Sequence, residues 1–263
     1  MYYLKKIFFL GLAFILLINS TSATITGGVA KDGIQEGTSS VIDAKTKNPV
    51  PQAKIKIPQL NYSTMTDQQG RFYLDAQVTG ASIMSVEKTG YRPFSLTLNE
   101  ENAGKPLVLG IEKTSPKDIV LETNLVHIGD DVYSDNSANA GEFQGQSTGW
   151  YFSKNFNIAP LSGSESAYLV IGSVIGIDSL LAQQMGQSGA VNAYASPPDV
   201  YFNGQKIANI KCNGDGQKIK LPPALIFTGR PNEITIRCGK NLFQNNYIDY
   251  DDIEIMNLYI EVE

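Results

Sequence analysis

One histidine, two cysteines and one tryptophan in 263 residues exclude a good deal of chemistry. A structural zinc site built from Cys and His takes about four ligands, and only three such side chains exist. A Ser–His–Asp triad has only His127 to draw on. Basic residues are outnumbered, 21 Lys and Arg against 26 Asp and Glu for a formal charge of −5, and they form no cluster, which argues against a nucleic-acid binder. No amphipathic helix of useful length is present. The best helical candidate, Ser179–Met185, is followed by two glycines within four residues and reads as a turn or short helix in a long loop. With 42% hydrophobic and 18% charged residues, the chain is far too apolar to be disordered.

Residues 1–23 read MYYLKKIFFLGLAFILLINSTSA. Lys5 and Lys6 precede an apolar run of about a dozen residues, and small side chains close the segment, the pattern of a secretory signal peptide. The run is shorter than the ~20 residues a membrane span needs, so no stable span is expected after cleavage. Removing it takes two lysines and no acid, leaving a formal charge of −7. The expected location is secreted, or the periplasm and cell envelope. Export makes a Cys212–Cys238 disulfide plausible. It would close a loop of about 27 residues, worth roughly 3.5 kcal/mol in the chain-entropy model; the alternative is two unpaired small core residues.

What the chain does contain is short alternating apolar runs separated by Gly, Pro, Asn or Asp, an all-β signature. In residues 24–113, Ala53, Ile55 and Ile57 alternate, as do Phe72 and Leu74, then Phe94, Leu96 and Leu98. Turns fall at Lys47-Asn48-Pro49, Asp67-Gln68-Gln69-Gly70 and Thr89-Gly90. About seven strands in a small Greek-key sandwich fit this spacing. Asp67 is placed to bond amides two residues on, and Gly70 to take a positive φ. The stretches VIDAKTKNPVPQAKIKI, TMTDQQGRFYL and VEKTGYRPFSLTL resemble the carboxypeptidase regulatory-like domain, a transthyretin-like β-sandwich. The resemblance rests on Pro49, Ala53, Thr66, Asp67, Gly70, Phe72, Gly90 and Tyr91. It implies a non-catalytic module beside another domain.

Glu112–Asp118, EKTSPKD, is a polar boundary with one proline. Residues 118–263 then carry probable strands at Gly149–Ile158, Ser166–Ile177, Asp199–Phe202, Gln205–Cys212, Gln217–Leu221, Asn232–Cys238 and Ile253–Val262. Asn203-Gly204 is a strong hairpin turn signal. In the last run Ile253 and Ile255 alternate, then the phase slips before Leu258, Ile260 and Val262, which predicts a bulge near Met256-Asn257. The stretches VYFNGQKIANI, ALIFTGRPNEITIRCG and DYDDIEIMNLYIEV resemble the galactose-binding-like jelly rolls. That resemblance implies a carbohydrate-binding module, with a structural calcium near the chain ends in many members.

Two constellations are candidate sites. Asp130 and Asp131 lie in the acidic stretch Gly129–Asp135 near the start of this block, and Asp251 and Asp252 precede its last strand. If the two ends meet, these carboxylates repel unless a cation lies among them, and Ca²⁺ accepts such an oxygen set; the alternative is a group of solvated turn residues. His127 beside this loop reads as a hydrogen-bonded structural residue, or one near the cation. The second constellation is aromatic and amide: Trp150, Tyr151, Tyr194, Asn203, Asn245, Asn246, Tyr247 and Tyr250, in Gly- or Asn-rich stretches suited to stacking on a sugar ring and bonding its hydroxyls. Trp150 fits a core position equally well. The sequence thus points to an exported, non-catalytic protein of two β-sandwich domains, a small Greek-key sandwich then a jelly roll. Carbohydrate is the first expected partner and an envelope or matrix protein the second. A glycosidase, which needs two carboxylates at fixed separation, is a distant third.

Overall fold

The computed structural model describes residues 37–131, 143, 145–176, 198–211, 213–238 and 252–263. Residues 1–23, the Ser179–Met185 segment, Tyr194, Cys212, Asn245, Asn246, Tyr247, Tyr250 and Asp251 lie outside them. Thr38–Glu263 forms one compact unit, and it is all-β. Among the described residues no helix is long and apolar enough to cross a membrane.

The first sandwich holds seven strands: β1 (Ser39–Asp43), β2 (Lys54–Ile57), β3 (Tyr62–Met65), β4 (Arg71–Phe72), β5 (Ser82–Glu87), β6 (Phe94–Leu98) and β7 (Val108–Ile111). They form two sheets, β4-β1-β7 and β3-β2-β5-β6. Val41, Ile55, Ile57, Phe72, Met84, Val86, Leu98 and Ile111 fill the space between them, as the period of two requires. The turn chemistry follows the sequence. The Asp67 carboxylate accepts the amides of Gln69 and Arg71 at 2.9 and 2.8 Å. Gly70 has φ +70°, and a Cβ there would meet the Val41 carbonyl oxygen at 2.6 Å. Tyr91 closes one end of the sandwich, its hydroxyl donating to Asp43 Oδ2 at 3.1 Å.

The second sandwich is built from β8 (Ile119–Glu122), β9 (Val126–Ile128), β10 (Tyr151–Phe156), β11 (Ala167–Gly176), β12 (Asp199–Phe202), β13 (Gln205–Asn209), β14 (Gly214–Lys220), β15 (Asn232–Arg237) and β16 (Ile253–Val262). One sheet runs β10-β15-β12-β13; the other runs β14-β11-β16-β8, with β9 also paired to β16. Its core includes Phe156, Leu169, Ile171, Val200, Phe202, Ile234, Ile236, Ile255, Leu258 and Ile260. Asn203 (φ +49°) and Gly204 (φ +82°) make the β12–β13 hairpin turn. The phase slip in β16 is real: Asn257 has φ +60°, and the register to β8 shifts between Leu258 and Tyr259. Ile253, Ile255, Leu258 and Ile260 therefore all face the second core, while Met256 joins Ile83, Phe143 and Ile175 in a separate cluster.

That separate cluster lies where the two sandwiches stack. Both β11 and β16 are buried along almost their whole length, one face against their own core and the other against β5 and β6. Polar contacts tie the layers together. Asn257 Nδ2 donates to Ser85 Oγ at 3.0 Å and to the Phe94 carbonyl at 2.9 Å. Asp215 accepts from Ser173 Oγ and from the Thr97 hydroxyl and amide. Arg92 is the hub at the boundary segment, bonded to Asp118 (2.8 Å), Glu112 (2.8 Å) and Glu261 (2.6 Å). Burial works against its charge, but Asp118 and Glu261 hold its pKa above the ordinary value. The polar boundary at Glu112–Asp118 thus separates two cores without separating two bodies.

Close approach of the layers depends on Gly172. A Cβ at that position would strike Ser95 Oγ on β6 of the other layer, and would also lie 2.8 Å from the Asn257 Cβ and 3.1 Å from the Met256 carbonyl oxygen on the neighbouring strand β16. Gly172→Ala is expected to lower unfolding free energy by about 1–3 kcal/mol, the usual cost of overpacking, as a lower denaturant midpoint at unchanged slope. An unchanged midpoint would mean the sheets are not held at this separation.

Candidate functional site

The sole histidine sits on β9, paired across to β16 with Glu254 as its register partner. This pairing brings residues 125 positions apart together. His127 Nε2 lies 2.7 Å from Asp252 Oδ1, and Nδ1 lies 2.7 Å from the Gly145 carbonyl oxygen. Both ring nitrogens therefore face acceptors, and both donate only in the imidazolium. Burial disfavours that charge. The Asp252 carboxylate, the Gly145 carbonyl and the nearby Glu254 outweigh it and raise His127 above its usual pKa.

The surroundings are strongly acidic. Asp252 and Glu254 are both fully buried. Glu254 accepts from the Gly145 amide (3.2 Å) through Oε1 and from Gln59 Nε2 (2.9 Å) through Oε2. Gln59 Oε1 in turn accepts the Ile83 amide, so the centre is braced by the first sandwich. Asp131 Oδ1 lies 3.8 Å from His127 Nε2, and its own amide donates to Asp252 Oδ1 at 3.2 Å. The Asp131 carboxylate accepts the Ser147 amide at 3.0 Å, and Ser147 Oγ donates to the Gly129 carbonyl at 2.7 Å. Among the described residues Asp252 Oδ2 has no hydrogen-bond partner. The edge of the Phe143 ring packs on the imidazole at a centroid distance of 5.0 Å.

Of the acids expected around a cation, the structure thus brings Asp131 and Asp252 together, places Asp130 half-buried next to Asp131, and leaves Asp251 outside the described residues. It adds His127 and Glu254. Glu254 was hidden in the sequence because an acid between Ile253 and Ile255 reads as a solvent-facing strand position. Only the unbroken burial of β16 puts it inside.

The aromatic candidates divide differently. Trp150 is 54% and Tyr151 61% exposed, so neither is a core residue. Tyr151 begins β10, an edge strand, and its register partner is Arg237. The outward rows of this sheet run Tyr151, Arg237, Asp199, Asn209 and then Ser153, Thr235, Tyr201, Lys206. The Arg237 guanidinium lies 5.5 Å from the Tyr201 ring centroid. Asp199 accepts from Lys206 and Asn209, both at 2.6 Å. Asn203, by contrast, is committed to the fold. Its Nδ2 donates to the Leu225 carbonyl and Asn232 Oδ1, and its Oδ1 accepts the Glu233 amide, so it has little left for a ligand. Tyr194, Asn245, Asn246, Tyr247 and Tyr250 fall outside the described residues, as does Cys212, the expected partner of Cys238.

The fold defines a protein of two stacked β-sandwiches, and the sequence of the first has a recognisable kind. Residues 38–121 match the family model of the CarboxypepD_reg-like domain. No curated protein matches the chain. Among solved structures, it is similar to crystal structures of BuGH86, wild type and a variant, each in complex with neoagarooctaose. Identity is 8% and the TM-score 0.29, over 84% of this chain and 29% of theirs. The chain spans less than a third of those proteins, and a likeness this slight carries no argument.

Gly129 is the backbone condition for the buried centre. It has φ +148°, and a Cβ there would fall on the Asp252 carboxylate and 2.8 Å from its Cα. Gly129→Ala is expected to cost about 3 kcal/mol or more, backbone strain plus overpacking. Gly149→Ala shares a positive φ (+110°) but meets nothing within 4 Å, and should cost clearly less. Equal losses in thermal or denaturant unfolding would contradict this packing of residue 129 on Asp252.

Proposed function

We propose that the chain is an exported, non-catalytic binding protein, and that its second sandwich, a galactose-binding-like jelly roll, holds carbohydrate on the outward face of the β10-β15-β12-β13 sheet. The observation that carries this reading is the exposed Tyr151 at the start of β10, in the outward row with Arg237 and other hydrogen-bonding side chains, with the exposed Trp150 immediately before it in the chain. A pyranose presents an apolar C–H face and a rim of hydroxyls. Tyr and Trp supply broad contact area of low conformational cost, and Asp199, Asn209, Ser153, Thr235 and Arg237 supply donors and acceptors. The outward rows cross four neighbouring strands, an arrangement that suits an extended polysaccharide better than a small ligand needing enclosure. The CarboxypepD_reg-like sandwich then acts as a mount, since it packs on the opposite sheet of this domain.

A second reading, adhesion to an envelope or matrix protein through a sheet edge, draws on β7. It is an edge strand of its sheet and carries Val108 at 68% exposure, the kind of edge a partner strand can extend.

Trp150 is the chain's sole tryptophan, so selectively excited tryptophan emission reports on the start of β10 alone. Titration of the mature protein with neutral and acidic polysaccharides should shift or quench it for at least one class. Tyr151→Ala and Arg237→Ala should each weaken that binding about tenfold, roughly 1.4 kcal/mol. A Val108→Lys variant should bind sugar as before. Absence of binding across a broad glycan panel, or binding that ignores both substitutions, would overturn the carbohydrate reading.

A further inference from the structure

Among the described residues, the centre around His127 holds three carboxylates against one imidazole. They are those of Asp131, Asp252 and Glu254, and two of them are fully buried. Removing carboxylates from water costs several kcal/mol each unless charge and hydrogen bonds compensate. Glu254 is compensated by the Gly145 amide and Gln59. Asp252 is compensated through Oδ1 alone, by His127 Nε2 and the Asp131 amide; its buried Oδ2 has no partner among the described residues, where most buried polar groups are satisfied.

We propose that His127 Nε2, Asp252 and Asp131 form a binding site for one divalent transition-metal cation of the Zn²⁺ type. The three residues offer ligand atoms that all lie within 4.8 Å of one another. Ligand atoms around a tetrahedral ion at ~2.1 Å stand ~3.4 Å apart. The separations from Nε2, 2.7 Å to Asp252 Oδ1 and 3.8 Å to Asp131 Oδ1, straddle that value and need shifts of less than about 1 Å. The ring is already oriented for the task. The Gly145 carbonyl can only accept, so Nδ1 keeps its proton and binding frees the Nε2 lone pair toward the carboxylates, the usual support of a metal-bound histidine. The Ser147 amide likewise steadies the Asp131 carboxylate. Binding displaces one proton from the imidazolium, and two carboxylates then neutralise the dication. Three protein ligands leave a coordination position, and Asp131, the most exposed of the three, marks the way in.

The donor set differs from one for calcium. An imidazole nitrogen suits Zn²⁺, Co²⁺ and their neighbours, whereas Ca²⁺ takes six to eight oxygens. The proposal is independent of the carbohydrate reading, which concerns the opposite sheet of the sandwich.

The test uses the mature chain after dialysis against a chelator, with Co²⁺ as the optical probe and Zn²⁺ and Ca²⁺ as competitors. The expected result is one equivalent of Co²⁺ bound with the visible ligand-field absorption of a low-coordinate nitrogen–oxygen site. Zn²⁺ should displace it and millimolar Ca²⁺ should not, and Zn²⁺ should raise the melting temperature. Asp131→Asn, at a half-exposed position where folding should survive, should weaken Zn²⁺ binding at least tenfold; His127→Gln should abolish the Co²⁺ spectrum. Absence of stoichiometric Co²⁺ or Zn²⁺ binding, displacement by Ca²⁺, or an affinity unchanged in a folded Asp131→Asn protein would each overturn the assignment.

Discussion

The final strand, β16, has to serve two cores at once, and most of the structure follows from that requirement. An ordinary edge or surface strand alternates between core and water. Here Ile253, Ile255, Leu258, Ile260 and Val262 fill the second sandwich, while Glu254, Met256 and Asn257 face the first. Two faces cannot both be served by a strict period of two once the strand's register and the neighbouring layer are fixed. The left-handed residue Asn257 absorbs the mismatch and spends its amide on Ser85 and Phe94. Gly172 on β11 supplies the matching space. The N-terminal end of the same strand carries Asp252 and Glu254 beneath His127, so the acidic centre and the junction between the sandwiches share one element.

This sharing explains why polar groups are so prominent in the interior. A junction made only of Ile83, Phe143, Ile175 and Met256 would be small. Arg92 with Asp118 and Glu261, Asp215 with Thr97 and Ser173, and Gln59 with Glu254 extend it and fix its register. Single exposed ion pairs add little, but pairs this enclosed are costly to break because the remaining partner stays buried.

Much of the fold was legible in the residues. The seven-strand first sandwich, the Asp67–Gly70 turn, the Asn203-Gly204 hairpin and the slip at Met256-Asn257 all stand where alternation and turn chemistry put them, because those are local signals. The stacking of the two sandwiches was not read, although a signal existed. AYLVIGSVIG in β11 is apolar at nearly every position, which marks a strand covered on both faces. Asp131 and Asp252 were legible as acids flanking first and last strands. Their partner His127 reads from the sequence as a hydrogen-bonded residue beside the acidic loop, and Glu254 was passed over. Which nitrogen meets which oxygen depends on the pairing of β9 with β16, a contact between residues more than a hundred positions apart that no local pattern encodes. Exposure of Trp150 and Tyr151 was likewise undecidable by period alone, since a strand's first residues belong to either face.

The central claim is that β16 joins both sandwiches into one cooperative body, and native-state amide hydrogen exchange tests it most directly. The amides of β5 and β6 in the first sandwich and those of β11 and β16 in the second should exchange only through one global opening, with the same free energy and the same denaturant dependence. Amides of β5 and β6 that exchange through their own lower-energy opening, while β11 and β16 remain protected, would contradict the account.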